Sequence, residues 1–105
     1  VGARSVEQVE GVMSVEVEFE AALRAEGFEE IAVRERGETP TNPMHTHAFD
    51  ARILVLEGSF GLTVEGSDMV LYGPGESFSV PAGTVHQETY PAGGAKWMFG
   101  TRTVA

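Results

Sequence analysis

The chain has 105 residues and 42% apolar content, which suits one domain with a modest core. Its net charge of −9, from 16 acidic and 7 basic residues, argues against a nucleic-acid or anionic-membrane partner, because both need clustered Lys and Arg. Cysteine is absent, so disulfides and thiolate ligands are excluded and a reducing, cytoplasmic setting is expected; no apolar run reaches membrane-spanning length and no signal peptide is visible.

Residues 1–13 carry weak signals: Ser5-x-x-Gln8 opens a short turn that Gly11 ends, or the segment is a frayed terminus. A helix is predicted over 14–27. Ser14 caps it, Glu16, Glu18 and Glu20 suit its positive end, and Val15, Phe19, Ala22 and Leu23 share one face. Gly27 is the expected residue after the C-cap, with Phe28 packing back on the helix. Ten of the 16 acidic residues fall within 1–38, so the negative charge is mainly a solvated N-terminal face.

Beyond Phe28 the period drops to two. Strands are predicted at Ile31–Arg36, His45–Phe49, Arg52–Leu56, Phe60–Val64, Met69–Tyr72, Ser77–Val80, Val85–Tyr90 and Lys96–Arg102. Turns are read at Thr39–Pro43, Gly58-Ser59, Glu65–Asp68, Gly73–Gly75, Pro81–Thr84 and Pro91–Gly94. Many short strands separated by tight turns give an all-β sandwich or barrel over 31–102, preceded by a single helix, in one domain spanning 1–105. Met44, Phe49, Phe60, Phe78, Met98 and Phe99 are expected core residues. Trp97 either packs or lines a pocket.

All three histidines fall in two short segments, His45-Thr46-His47 and the stretch Gly75–His86. On a strand, positions two apart face the same way, so His45 and His47 point together. His86 opens another strand. If the two strands face each other, three imidazoles converge on a site suited to iron, zinc, nickel or manganese. Glu88 and Tyr90 follow His86 at the same parity. Glu88 is then a fourth ligand, a base on metal-bound water, or a solvated surface acid; Tyr90 is a hydrogen-bond donor in the pocket or packing at the barrel end. Asp50 has the opposite parity to His47 and is expected outside, in a surface pair with Arg52.

These segments resemble the cupin superfamily. Its second motif is Gly, five residues, Pro-x-Gly, two residues, His, three residues, Asn, and the chain fits it from Gly75 through Pro81 and Gly83 to His86. Its first motif is Gly, five residues, His-x-His, three or four residues, Glu, six residues, Gly. The chain fits that motif at His45, His47 and Gly58. Seven residues separate Gly37 from His45 where the motif has five, the motif's Glu falls on Ala51, and its closing Asn falls on Tyr90. The phrase from His47-Ala48-Phe49-Asp50-Ala51-Arg52 to Gly58 is similar to one branch of small, single-domain bacterial cupins.

The resemblance implies a small jelly-roll β-barrel with His45, His47 and His86 as metal ligands and no fourth ligand at Ala51. It implies one of two functions on a small organic molecule. The first is a metal-dependent enzyme, dioxygenase-like or using Lewis-acid chemistry as a lyase or isomerase. The second is a non-catalytic small-molecule or metal-binding and sensing module. A barrel without metal is the third outcome. Cupins often pair through sheet edges, so a homodimer is expected. An apolar pocket favours an aromatic or diketone ligand, whereas a pocket with several Arg favours carboxylates or sugar acids. Past Gly37 only Arg52, Lys96 and Arg102 are basic, which disfavours an anionic polysaccharide.

Overall fold

The computed structural model describes residues 15–104; the readings of Ser5–Gly11 and of the Ser14 cap lie outside them. Residues 15–25 are helical, and seven strands follow: β1 (Glu30–Arg36), β2 (Phe49–Gly58), β3 (Phe60–Val64), β4 (Val70–Tyr72), β5 (Ser77–Val80), β6 (His86–Thr89) and β7 (Ala95–Thr103). They form two sheets of order β1-β7-β2-β5 and β4-β3-β6, with every named pairing antiparallel. Consecutive strands β2 and β3 lie in opposite sheets, so the chain crosses the sandwich at Ser59. This is an all-β jelly roll preceded by one short helix.

β2 explains the architecture. Ile53-Leu54-Val55-Leu56 is an unbroken apolar run because the strand is covered on both faces. Ile53 and Val55 point between the sheets into a core with Phe60, Leu62, Val80, Tyr90, Ala95 and Trp97. Leu54 points the other way and packs with Met98, Phe28, Phe19 and Leu23 from the helix. The helix lies directly on β7 at Gly100, where a Cβ would meet Leu23 at 3.0 Å and Phe28 at 3.2 Å. Phe19 and Leu23 are the buried members of the predicted helix stripe, whereas Val15 is 42% exposed.

The helix ends in a Schellman arrangement: Gly27 has φ +86°, Phe28 N–H donates to the Leu23 carbonyl at 2.9 Å, and Gly27 N–H donates to Arg24 at 3.1 Å. Two arginines then fasten it to the sheet. Arg52 pairs with Glu26 at 2.7 Å and lies over the Phe19 ring. Arg102 donates to the Glu26 carbonyl, pairs with Asp50 at 3.0 Å and lies over Phe28.

Three readings need correction. His45–Phe49 and Arg52–Leu56 are not two strands: β2 is one strand from Phe49, and His45 makes only an isolated bridge with His86. The backbone there serves a different partner, since Gly83 N–H takes the His47 carbonyl at 2.9 Å. Asp50 and Arg52 do not pair with each other. Alternate partners on β7 and the helix, 52 and 26 residues away along the chain, take them. Met44 is not core but 41% exposed, on the segment leading into the site.

Asp50 also accepts a hydrogen bond from Ala82 N–H at 2.9 Å. That bond first, and the Arg102 guanidinium second, hold its carboxyl below the usual carboxylate value of 3.8. A lowered folded pKa means the carboxylate stabilises the fold above its unfolded value and ceases to as pH falls through the folded one. Asp50→Asn is therefore expected to lower Tm at about pH 7, with the gap closing by about pH 2. Thermal melts at both pH values check this; an undiminished gap in acid contradicts it.

Candidate metal centre

The three histidines meet although only one of them lies in a regular strand. His45 and His86 face each other as a hydrogen-bonded antiparallel pair, with His45 N–H to the His86 carbonyl at 2.9 Å and the reverse bond at 3.0 Å. Directly opposed residues project to the same side, so the two rings sit 4.4 Å apart between centroids. The ring of His47 lies 4.9 Å from His45 and 5.4 Å from His86, and is stacked on Phe49 at 4.7 Å. One ligating nitrogen from each residue lies within 4.8 Å of the others.

The backbone sets the tautomers. His45 Nδ1 lies 2.9 Å from the Pro43 carbonyl and His86 Nδ1 lies 2.8 Å from the Thr84 carbonyl. A carbonyl only accepts, so each Nδ1 carries the proton and each Nε2 keeps a lone pair directed at the cluster. Partial burial first, and then the neighbouring imidazoles of His45 and His86, push the His47 pKa down against the pull of the Glu88 carboxylate. His47 is thus held toward the neutral form that binds metal.

Glu88 stands at the edge of this group, its Oε1 3.2 Å from His45 Nε2. With Nδ1 protonated, two lone pairs would face each other across that gap unless a second ring proton or a metal cation lay between them. Donor atoms roughly 2.0–2.2 Å from a shared divalent ion lie about 3 Å from each other, so the spacing fits a metal. The donor set of three imidazoles and a carboxylate suits a transition metal. Asn42 fixes Glu88 on the other side: its Nδ2 donates to Glu88 Oε1 at 2.9 Å and its Oδ1 accepts from Glu88 N–H at 2.8 Å.

The cluster opens onto a cleft of about 790 Å³ between the sheets. His47, His86 and Glu88 lie on its polar side, and Phe60, Phe78 and Trp97 contribute its apolar wall. Ala51, at the place of the motif's Glu, lines the same cleft with a methyl group. A smaller adjoining hollow is lined by His45, Asn42, Arg34 and Arg36, and shares Arg34, His47, Glu88 and Tyr90 with the larger one. Tyr90 is 8% exposed, stacks on Trp97 at 5.1 Å, and meets Phe60 edge-on at 5.2 Å. Burial, and then Glu88, push its pKa up to about 12, so its hydroxyl stays protonated and can donate a hydrogen bond.

His45, His47, His86, Glu88 and Tyr90 are therefore brought to one place. Tyr90 and Trp97 each serve both as packing and as pocket wall. Arg34, Arg36 and Asn42 also border the site, and nothing in the motifs marks them. Strand parity contains the signal for the arginines: within Ile31–Arg36, Arg34 and Arg36 share a face. Asn42 had none, as its role depends on a bond to a residue 46 positions away.

The cupin domain family matches residues 32–97. Comparison with curated proteins gives no match. Among solved structures, the SPY1581 protein of unknown function from Streptococcus pyogenes superposes with a TM-score of 0.62 at 17% identity, over 71% of this chain and 64% of that one. The EutQ protein of Clostridium difficile gives 0.61 at 25% identity, over 70% and 55%. The DMSP lyase DddQ of Ruegeria pomeroyi gives 0.61 at 21% identity, over 69% and 36%. The chain thus spans less than two thirds of the length of each of these proteins.

Proposed function

The chain belongs to the cupin domain family, and from that premise we propose that it is a metal-dependent enzyme acting on a small organic molecule, with His45, His47 and His86 as the ligands of one divalent transition metal. The observation that carries this reading is the convergence of three imidazoles, two with their Nε2 lone pairs freed by backbone carbonyls, at the mouth of a largely apolar cleft. Iron, zinc, nickel and manganese all suit the donor set. A bound ion would supply Lewis acidity, or with iron a centre for dioxygen chemistry.

The chain's own groups have separable tasks. Glu88, held by Asn42 against His45, is placed to take a proton from a substrate or water, or to serve as a fourth ligand. Tyr90, kept protonated, donates a hydrogen bond into the cleft. Phe60, Phe78 and Trp97 exclude water and seat an apolar body. A homodimer accompanies this proposal, supported by β1, an edge strand paired only with β7 and largely exposed. A cytoplasmic setting also belongs to the proposal, supported by the cysteine-free composition.

Reconstitution of the chelator-stripped protein with each of the four ions tests the reading. Uptake of about one equivalent of at least one ion is expected, with Glu88→Gln retaining it or weakening it by no more than about 100-fold. A protein that takes up none of them is a metal-free binding module instead.

A further inference from the structure

We propose that the cleft is built for a carboxylic acid: Arg34 and Arg36 receive the carboxylate while the aromatic wall receives the organic body. This deepens the functional reading above and rests on it in taking the cleft as the ligand site. Arg34 and Arg36 are two apart on β1, and their register partners on β7, Trp97 and Ala95, are both buried in the core between the sheets. Paired residues project to the same side, so both side chains leave β1 on the inner side rather than beside the helix, Arg34 lining the cleft and Arg36 the hollow that adjoins it. Arg34 lies with its guanidinium 5.1 Å from the centre of the Phe99 ring, which holds it over the cavity wall.

Charge accounting isolates these two groups. Arg24 pairs with Glu20, Arg52 with Glu26, Lys96 with Glu57 and Arg102 with Asp50. Among the described residues, Arg34 and Arg36 are the cations that form no salt bridge, in a chain whose net charge is −9. The acids nearest the cleft have other placements. Glu88 is engaged by Asn42 and His45, and Glu29 and Glu30 line the cleft from the start of β1, at the other end of that strand from Arg36. A planar carboxylate matches the guanidinium fork. A monoanion also suits the site better than a phosphate dianion, which would face Glu88 and the field of an acidic chain. The hydrocarbon or aryl portion is set by Phe60, Phe78, Trp97 and Phe99. The basic residues past Gly37 go instead to the helix and the outer sheet face, so counting them gives no measure of the pocket's charge.

The test uses the zinc-reconstituted full chain and the fluorescence of Trp97, its single tryptophan, which lies in the cleft wall. Phenylacetate and hexanoate are titrated against their uncharged amides, and metal content is measured in the same samples. At least one acid is expected to bind about 10-fold or more tightly than its amide. Arg34→Gln with Arg36→Gln abolishes that preference without changing metal content. Lys96→Gln, which removes one positive charge at the neighbouring, opposite-parity position, leaves it intact. A wild-type protein that binds neither acid better than its amide overturns the proposal, as does a preference that survives in the double variant or is lost equally in Lys96→Gln. If the sample retains no zinc but the arginine-dependent preference persists, the metal reading fails and the carboxylate site stands.

Discussion

Replacing His86 by alanine is expected to weaken metal binding by more than about 100-fold, beyond the loss typical of removing an outer hydrogen-bond partner. His86 is 2% exposed, its Nδ1 is tied to the Thr84 carbonyl, and its backbone forms both bonds of the bridge to His45. Alanine keeps the backbone bridge but deletes one of three imidazoles. Two remaining histidines with Glu88 can hold an ion only loosely, and no carboxylate stands at Ala51 to compensate. Competition with a chromogenic chelator measures the change, and circular dichroism checks that the fold persists. Unchanged affinity in a folded His86→Ala protein places any metal elsewhere.

The largest stability effect is expected at Trp97. Truncation to alanine should cost about 3–5 kcal/mol, the range for large aromatic residues in a core. Trp97 is 5% exposed, stacks on Tyr90 with planes at 15°, and meets Phe60 edge-on at 4.9 Å. It sits in β7, the strand paired with both β1 and β2, so the void opens where the main sheet is broadest. A domain of this size loses about 4–8 °C of Tm per kcal/mol, so a drop of more than about 10 °C is expected. Trp97→Phe should recover much of it by refilling the space. Thermal melts of both variants decide the matter; a loss in Trp97→Ala below about 5 °C would mean this aromatic cluster is not the core.

The parts of the site visible in the sequence are those with local causes. Histidines two apart before an apolar strand, and a histidine just past Pro81-x-Gly83, mark the histidine cluster from short-range spacing alone. The helix end at Gly27 and Phe28 is equally local, and the structure closes it with the expected bonds. Ser77–Val80 is a strand with the predicted bounds because Gly75 and Pro81 punctuate both sides. What escaped depends on distant partners. The true start of β2 reflects pairing of Phe49 with Thr103, which no local pattern announces. Asp50 and Arg52 share a face of β2 and look like a local pair, yet Arg102 on β7 and Glu26 at the end of the helix, both distant in sequence, take them instead. The cationic wall is half-visible: parity puts Arg34 and Arg36 together, but only the β1–β7 register says that their side faces the cleft.

The proposed function stands or falls with His45, His47 and His86 binding one metal ion together. Metal K-edge X-ray absorption of the reconstituted protein tests it most directly. A first shell containing three imidazole nitrogens at about 2.0–2.1 Å is expected, with the multiple-scattering signature of histidine rings. A shell of oxygen atoms alone, as from surface carboxylates of this acidic chain, would contradict it.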